Sequence, residues 1–191
     1  MNETESTRRE SRLAIITNTI LSGSATIIAV VALATGIYQA KLSRDQADAS
    51  VWPYILQGNS GNNGYARILQ NVGIGPAKIG AFEVRVGNVV VHSWREAAES
   101  LHVKLSWRDS KSTTMKAGVV IPANTLSELL ELPDSNDVKL FRAAMTRASE
   151  QKKPLVTWVC YCSIYGRCWQ GSEEPQPTKA CHSDPAREFL E

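Results

Sequence analysis

Residues 13–40, LAIITNTILSGSATIIAVVALATGIYQA, contain no charged side chain. A helix rises about 1.5 Å per residue, so roughly 20 apolar residues cross the hydrocarbon core of a bilayer. The run exceeds that length and is densest at residues 20–38. In lipid every backbone N–H and C=O must be bonded inside the segment, so a single span has to be a helix. Tyr38 stands where the far interface belongs, a position that suits an amphipathic ring. The run divides the chain into a polar, disordered cytoplasmic tail at 1–12, a transmembrane signal-anchor helix at 13–40 and a stalk or helix continuation at 41–51. A β-sandwich domain at 52–171 and an extended C-terminal tail at 172–191 complete the expectation.

Small and polar residues within the run follow a spacing of four and three: Asn18, Ser22, Ala25, Ala29, Ala32 and Gly36. This heptad seam forms one stripe on which a second helix could approach closely, with Asn18 bonding across the pair. Arg8, Arg9 and Arg12 precede the run and Lys41 and Arg44 follow it. The positive-inside rule then predicts a single pass with a cytoplasmic N-terminus and a periplasmic or extracellular main domain. Ala32-Leu33-Ala34 has the form of a signal-peptidase site, but the apolar run before it is longer than a usual h-region and continues past it, so an uncleaved anchor is expected.

The rest of the chain has the length of one domain and reads as mainly β. Trp52-Pro53 ends helical character, because the residue before proline avoids the α region. Strands are predicted at 54–58 and 65–71, joined by the turn cluster at 59–64. The loop Val72-Gly73-Ile74-Gly75-Pro76-Ala77 contains G-x-G, yet Pro76 and the alternation that follows exclude a dinucleotide fingerprint. A structural turn is predicted, with glycine supplying unusual backbone angles. Phe82, Val84 and Val86 alternate with Glu83 and Arg85, and Gly87-Asn88 turns this strand into Val89, Val90 and Val91. Ser93 and Glu96 form a capping box for a helix at 93–101. Residues 110–114 read as loop and 117–121 as a strand. Residues 125–132 fit both periods; a strand is chosen. Asp134 or Ser135 caps a helix to about residue 151, with Phe141, Ala144, Met145 and Ala148 on its apolar face. A strong strand at 155–164 turns at Tyr165-Gly166 and returns through 168–170.

All four cysteines lie in the last third, at 160, 162, 168 and 181. In an exported domain an even cluster predicts disulfides. Cys160 and Cys162 share one face of a strand, and Cys168 stands across the turn. The expected bonds are Cys162–Cys168 across the hairpin and Cys160–Cys181 pinning the tail, with Cys160–Cys168 the exchanged alternative. In a cytoplasmic domain the same Cys160, Cys162, Cys168 and Cys181 (or His182) could instead hold zinc, although C-x-C is not the usual paired C-x-x-C.

Chemistry is otherwise sparse. His92, His102 and His182 come with no nucleophile or orienting partner, and no nucleophile elbow, phosphate loop or zinc-protease helix occurs. The chain carries 21 Lys and Arg against 19 Asp and Glu with no basic stripe, which argues against nucleic acid as a partner. No catalytic residue, cofactor or resident metal is expected.

The order of one N-terminal span, then W-P-Y, N-V-G-I-G-P-A and C-Y-C-S-I-Y-G-R-C-W over residues 13–169, resembles bacterial single-span membrane proteins of uncharacterised activity. The resemblance implies an exported Ig-like β domain and no reaction; Cys181 falls outside its motifs. The expected function is a membrane-tethered, non-catalytic interaction or sensory module with a protein partner. The alternatives are a subunit packing through its transmembrane stripe as a homo- or hetero-oligomer, an enzyme with a dispersed site, and a cytoplasmic-facing zinc domain.

Overall fold

A computed structural model describes residues 3–61 and 64–190 and divides them into two units, one ending at Ala47 and one beginning at Asp48. Of the turn cluster expected at 59–64, Asn62 and Asn63 lie outside the described residues. The first unit is the body of α1 (Glu3–Ser50). Its part from Thr17 onward is long and apolar enough to cross a membrane and carries its apolar side chains outward. The helix extends on both sides of the apolar run, through residues expected as a disordered tail before it and through residues expected as a helix continuation or stalk after it. Once a helix is nucleated, each added residue gains a backbone hydrogen bond at little cost, so polar flanks of good propensity are carried along.

The second unit is mainly β, with two antiparallel sheets. One has the order β1 (Ile55–Ser60), β2 (Tyr65–Asn71), β7 (Thr125–Leu132), β5 (Lys111–Ser112). The other has the order β10 (Gln176–Thr178), β9 (Cys168–Gly171), β8 (Leu155–Cys162), β3 (Ala77–Val86), β4 (Val89–Val91), and β6 (Val120–Ile121) pairs with the start of β3. Leu69, Leu130 and Leu132 from the first sheet share one buried core with Ile79, Phe82, Val84, Val159 and Tyr161 from the second. The Tyr161 hydroxyl accepts from the Ile55 amide of the opposite sheet at 3.2 Å. Burial pushes that phenol up to about 12.

Two bulges explain where strict alternation fails. In the β2–β7 pair the register skips Leu129, so Leu129 and Leu130 are consecutive and both buried. That is why this segment fitted helix and strand periods alike. The skipped residue's carbonyl accepts the Trp94 indole N–H at 3.0 Å. In the β3–β8 pair the register skips Gly80.

Helix α2 (Trp94–Ser100) starts at Ser93, whose hydroxyl accepts from the Glu96 amide. The Glu96 carboxylate reaches one residue further back than a standard capping box and accepts from the His92 amide at 2.6 Å. Helix α3 (Ser135–Glu150) is capped by Asp134. Buried Asp137 in its first turn accepts from the Ser106 and Trp107 amides and the Ser106 hydroxyl, tying down the preceding loop. Burial alone would raise the Asp137 carboxyl, but those hydrogen bonds outweigh it and hold the group below its usual value.

The glycines of the 72–76 loop answer a packing requirement, since neither Gly73 nor Gly75 has a positive φ. A Cβ on Gly73 would lie 2.4 Å from the Trp52 carbonyl oxygen, and one on Gly75 2.0 Å from that of Val51. Residues 51–54, which lead into β1, and the loop are therefore in backbone contact. Asn71 holds the crossing. Fully buried, its amide nitrogen donates to the carbonyls of Gly75, Ile121 and Pro122, and its oxygen accepts from the Tyr54 and Gly73 amides.

The last residues, read as an extended tail with Cys181 as tether, carry β10 and more. Phe189 is buried edge-on against Phe82 and Trp94, and its amide donates to the Phe82 carbonyl at 3.4 Å. That contact fills the stretch of β3 between its pairings with β6 and β4. A single aromatic residue among prolines and charges carries no periodic signal.

Asn71→Ala removes a partner from five backbone groups, three in buried and two in part-buried bonds, at up to roughly 1–3 kcal/mol for each group left unsatisfied. The expected loss is about 3–5 kcal/mol, read as a lowered urea midpoint by tryptophan fluorescence. A loss under about 1 kcal/mol would show that the crossing does not depend on Asn71.

Candidate functional site

The outer face of β8 carries Cys160 and Cys162, two residues apart and so on the same side. Cys162 stands directly opposite Cys168 in the β8–β9 register, and the two are bonded with Cα atoms 4.0 Å apart. Cys160 is bonded to Cys181 in the C-terminal segment, with Cα atoms 5.6 Å apart. In the chain-entropy account a closed loop with a separation of 21 residues contributes about 3 kcal/mol and one of 6 about 2 kcal/mol.

Gly80 makes the second bond possible. A Cβ there would lie 2.3 Å from Cys181 Cβ and 2.9 Å from its Sγ. The bulge in β3 thus removes a side chain where the C-terminal segment crosses the sheet. Further along, Arg187 pairs with Glu83 at 3.1 Å, and Glu83 also holds Arg85.

The two cystines touch. Cys162 Sγ lies 3.7 Å from Cys181 Sγ, and the sulphurs of Cys162, Cys168 and Cys181 all lie within 4.8 Å of one another. These three line an open cleft of about 500 Å³ together with apolar Ile79, Val120 and Ile164. Lys78, opposite Cys162 in the β3–β8 register, and Lys179 line it too. Ser163, 5 % exposed, also lines the cleft, and its hydroxyl has no hydrogen-bond partner among the described residues. A buried hydroxyl in that condition calls for a water or a bound polar group. Arg167, on the same β8–β9 turn, pairs with Asp48 at 2.6 Å.

In this bonded form none of the four sulphurs is a thiolate, the form in which cysteine binds zinc. A zinc site on these residues would require both bonds to be reduced. The three histidines occupy separate places: His92 after β4, His102 beyond the C-terminal end of α2 and His182 in the C-terminal segment. The His92 Nδ1 is engaged by the Glu188 carbonyl at 3.1 Å. The stripe of Asn18, Ser22, Ala25, Ala29, Ala32 and Gly36 lies on the exposed surface of α1. Within it, the Ser22 hydroxyl donates to the Asn18 carbonyl of its own helix.

A second polar feature, between the sheets, was not read from the sequence. Arg67 lies on the inward face of β2 and donates to Asn59 Oδ1 at 3.0 Å and Thr157 Oγ1 at 2.6 Å. Its Nε is buried with no hydrogen-bond partner among the described residues, and burial lowers the pKa of the guanidinium. The neighbouring Tyr65 hydroxyl also donates to Asn59 Oδ1, and burial pushes that phenol up to about 12 against the opposing influence of Arg67 and Arg142. Alternation alone puts Arg67 on the face of Tyr65 and Leu69, so the signal was present as an inward-facing charge.

Comparison with known proteins returns no matching family model, no matching curated protein and no matching solved structure.

Gly80→Ala should close Cys162–Cys168 but not Cys160–Cys181. Alkylation of the non-reduced chain would then count two free thiols per molecule, against none in the parent. A parent-like count would show that the bulge has room for a side chain.

Proposed function

We propose that this chain is a membrane-anchored binding module whose β domain lies in an oxidising compartment outside the cytoplasm. The observation that carries the reading is a combination: a helix long and apolar enough to span a bilayer precedes a domain with two cystines. Stable disulfides belong to oxidising spaces, and a single N-terminal anchor is the simplest device that delivers a following domain there. In a bacterial cell that arrangement is a single-pass protein of the inner membrane with a periplasmic C-terminal domain.

The domain itself is an Ig-like sandwich in this reading. Support comes from the strand order. The order β1-β2-β7-β5 corresponds to A-B-E-D of an Ig domain, and β4-β3-β8-β9 to C′-C-F-G. The cystines depart from the antibody pattern: they join β8 to its neighbour β9 and to the C-terminal segment and do not bridge the two sheets. Binding is assigned to the cystine-lined cleft, where apolar walls, two lysines and one unpartnered hydroxyl offer a small number of fixed polar contacts on an apolar surface.

The test is a pair of fusions after Glu191. A periplasm-dependent phosphatase should be active, and a fluorescent protein that matures only in the cytoplasm should stay dark. The reverse pattern would overturn the reading and make a reduced, metal-holding cysteine cluster the better account.

A further inference from the structure

We infer that the two cystines form a single thiol–disulfide exchange site whose substrate is a low-molecular-weight thiol entering the cleft. The inference stands on the sulphur geometry and does not depend on the side of the membrane the domain occupies. Two independent disulfides would be separated by other atoms; here Cys162 Sγ and Cys181 Sγ, one from each bond, are 3.7 Å apart with nothing between them. Three of the four sulphurs line the open cleft, whereas Cys160 is fully buried. An external thiol can therefore reach the cluster only from the side of Cys162, Cys168 and Cys181.

Exchange proceeds by attack of a thiolate on one sulphur of a disulfide and expulsion of the other, and the better leaving thiolate leaves faster. Cys162 is partly exposed and stands opposite Lys78 in the strand register, whereas Cys168 lines the cleft but is 6 % exposed, so negative charge is better accommodated on Cys162. The incoming R–S⁻ attacks Cys168 Sγ. The R–S–Cys168 bond forms, the Cys162–Cys168 bond breaks, and its electron pair stays on Cys162 Sγ. That thiolate then attacks Cys181 Sγ. The Cys162–Cys181 bond forms, the Cys160–Cys181 bond breaks, and its electron pair stays on Cys160, which takes up the proton released when R–SH ionised. Burial favours Cys160 as a neutral thiol over a thiolate. The sum is one R–SH and two disulfides on the left, and two disulfides and one Cys160 thiol on the right. No external oxidant or reductant is consumed. Exchange of Cys160 for Cys162 moves the tether of the C-terminal segment two residues along β8, so a chemical event in the cleft shifts the segment that carries Phe189.

The experiment uses the full chain in detergent micelles with reduced glutathione as the probe thiol. Reaction is stopped with acid, free thiols are alkylated, and peptides are mapped without reduction. The expected products are glutathione on Cys168, a Cys162–Cys181 bond and alkylation at Cys160. Glutathione on either Cys162 or Cys168 with Cys160–Cys181 intact in every molecule would overturn the inference, as would no reaction at all. Two variants read the same contact without glutathione. Cys168→Ser leaves a thiol at Cys162 beside the Cys160–Cys181 bond and should partition between Cys160–Cys181 and Cys162–Cys181, with at least a tenth of molecules in the second form. Cys160→Ser leaves a thiol at Cys181 and should yield Cys162–Cys181 with Cys168 free. Retention of Cys160–Cys181 alone in the first variant and of Cys162–Cys168 alone in the second would contradict it.

Discussion

The antiparallel pairing of β3 with β8 is the interaction on which the β domain depends. Its inner face supplies Phe82, Val84, Val159 and Tyr161 to the core, and through the Tyr161 hydroxyl it reaches the opposite sheet. Its outer face carries Cys160 and Cys162, from which both disulfides issue. One skipped residue, Gly80, reconciles the two roles. Strand β3 changes phase there, turning Phe82, Val84 and Val86 inward, and the missing side chain leaves the space that Cys181 enters. A fold built this way concentrates its covalent constraint and its cleft at one end of one strand pair.

Polar groups inside the domain are held in two ways: Glu83 pairs with Arg85 and Arg187, whereas Asn71, Asp137 and Arg67 are held by backbone or by neutral side chains. Asn71 is satisfied by five backbone groups, and Asp137 by two amides and a hydroxyl. Arg67 shares neutral acceptors with Tyr65. Carbonyls and amides that would otherwise be orphaned in loops are thereby used to fix those loops against the sheets. One of these bonds lies beside the cleft: Asn71 donates to the carbonyl of Ile121, next to Val120 of β6 in the cleft wall. Among the described residues the Ser163 hydroxyl and Arg67 Nε are the buried side-chain polar atoms left outside this economy.

Much of the architecture was legible in the residues. The charge-free run marked α1, the Ser93 and Asp134 caps marked α2 and α3, and alternation with turn residues marked the strands from β1 to β4. What could not be read was of two physical kinds. Bulges break the period of two, so Leu129 beside Leu130 looked helical and Gly80 looked like an ordinary strand residue. Tertiary contacts made by isolated residues leave no pattern, which hid the two-residue β5, the short β10 and the burial of Phe189. The Gly73 and Gly75 pair was correctly read as structural, but the reason is the close crossing of residues 51–54 and not a special backbone angle. In the cleft, the cysteines were visible as a group, whereas the adjacency of the two bonds depends on where a twenty-residue segment returns.

The account as a whole requires the sulphurs to be bonded in the protein as the cell holds it. Rapid acid quenching of intact cells, followed by alkylation with a mass-tagged maleimide before any purification, measures this directly. The account predicts a chain with no tagged cysteine that acquires four tags only after reduction. Four tags on the chain without prior reduction would contradict it.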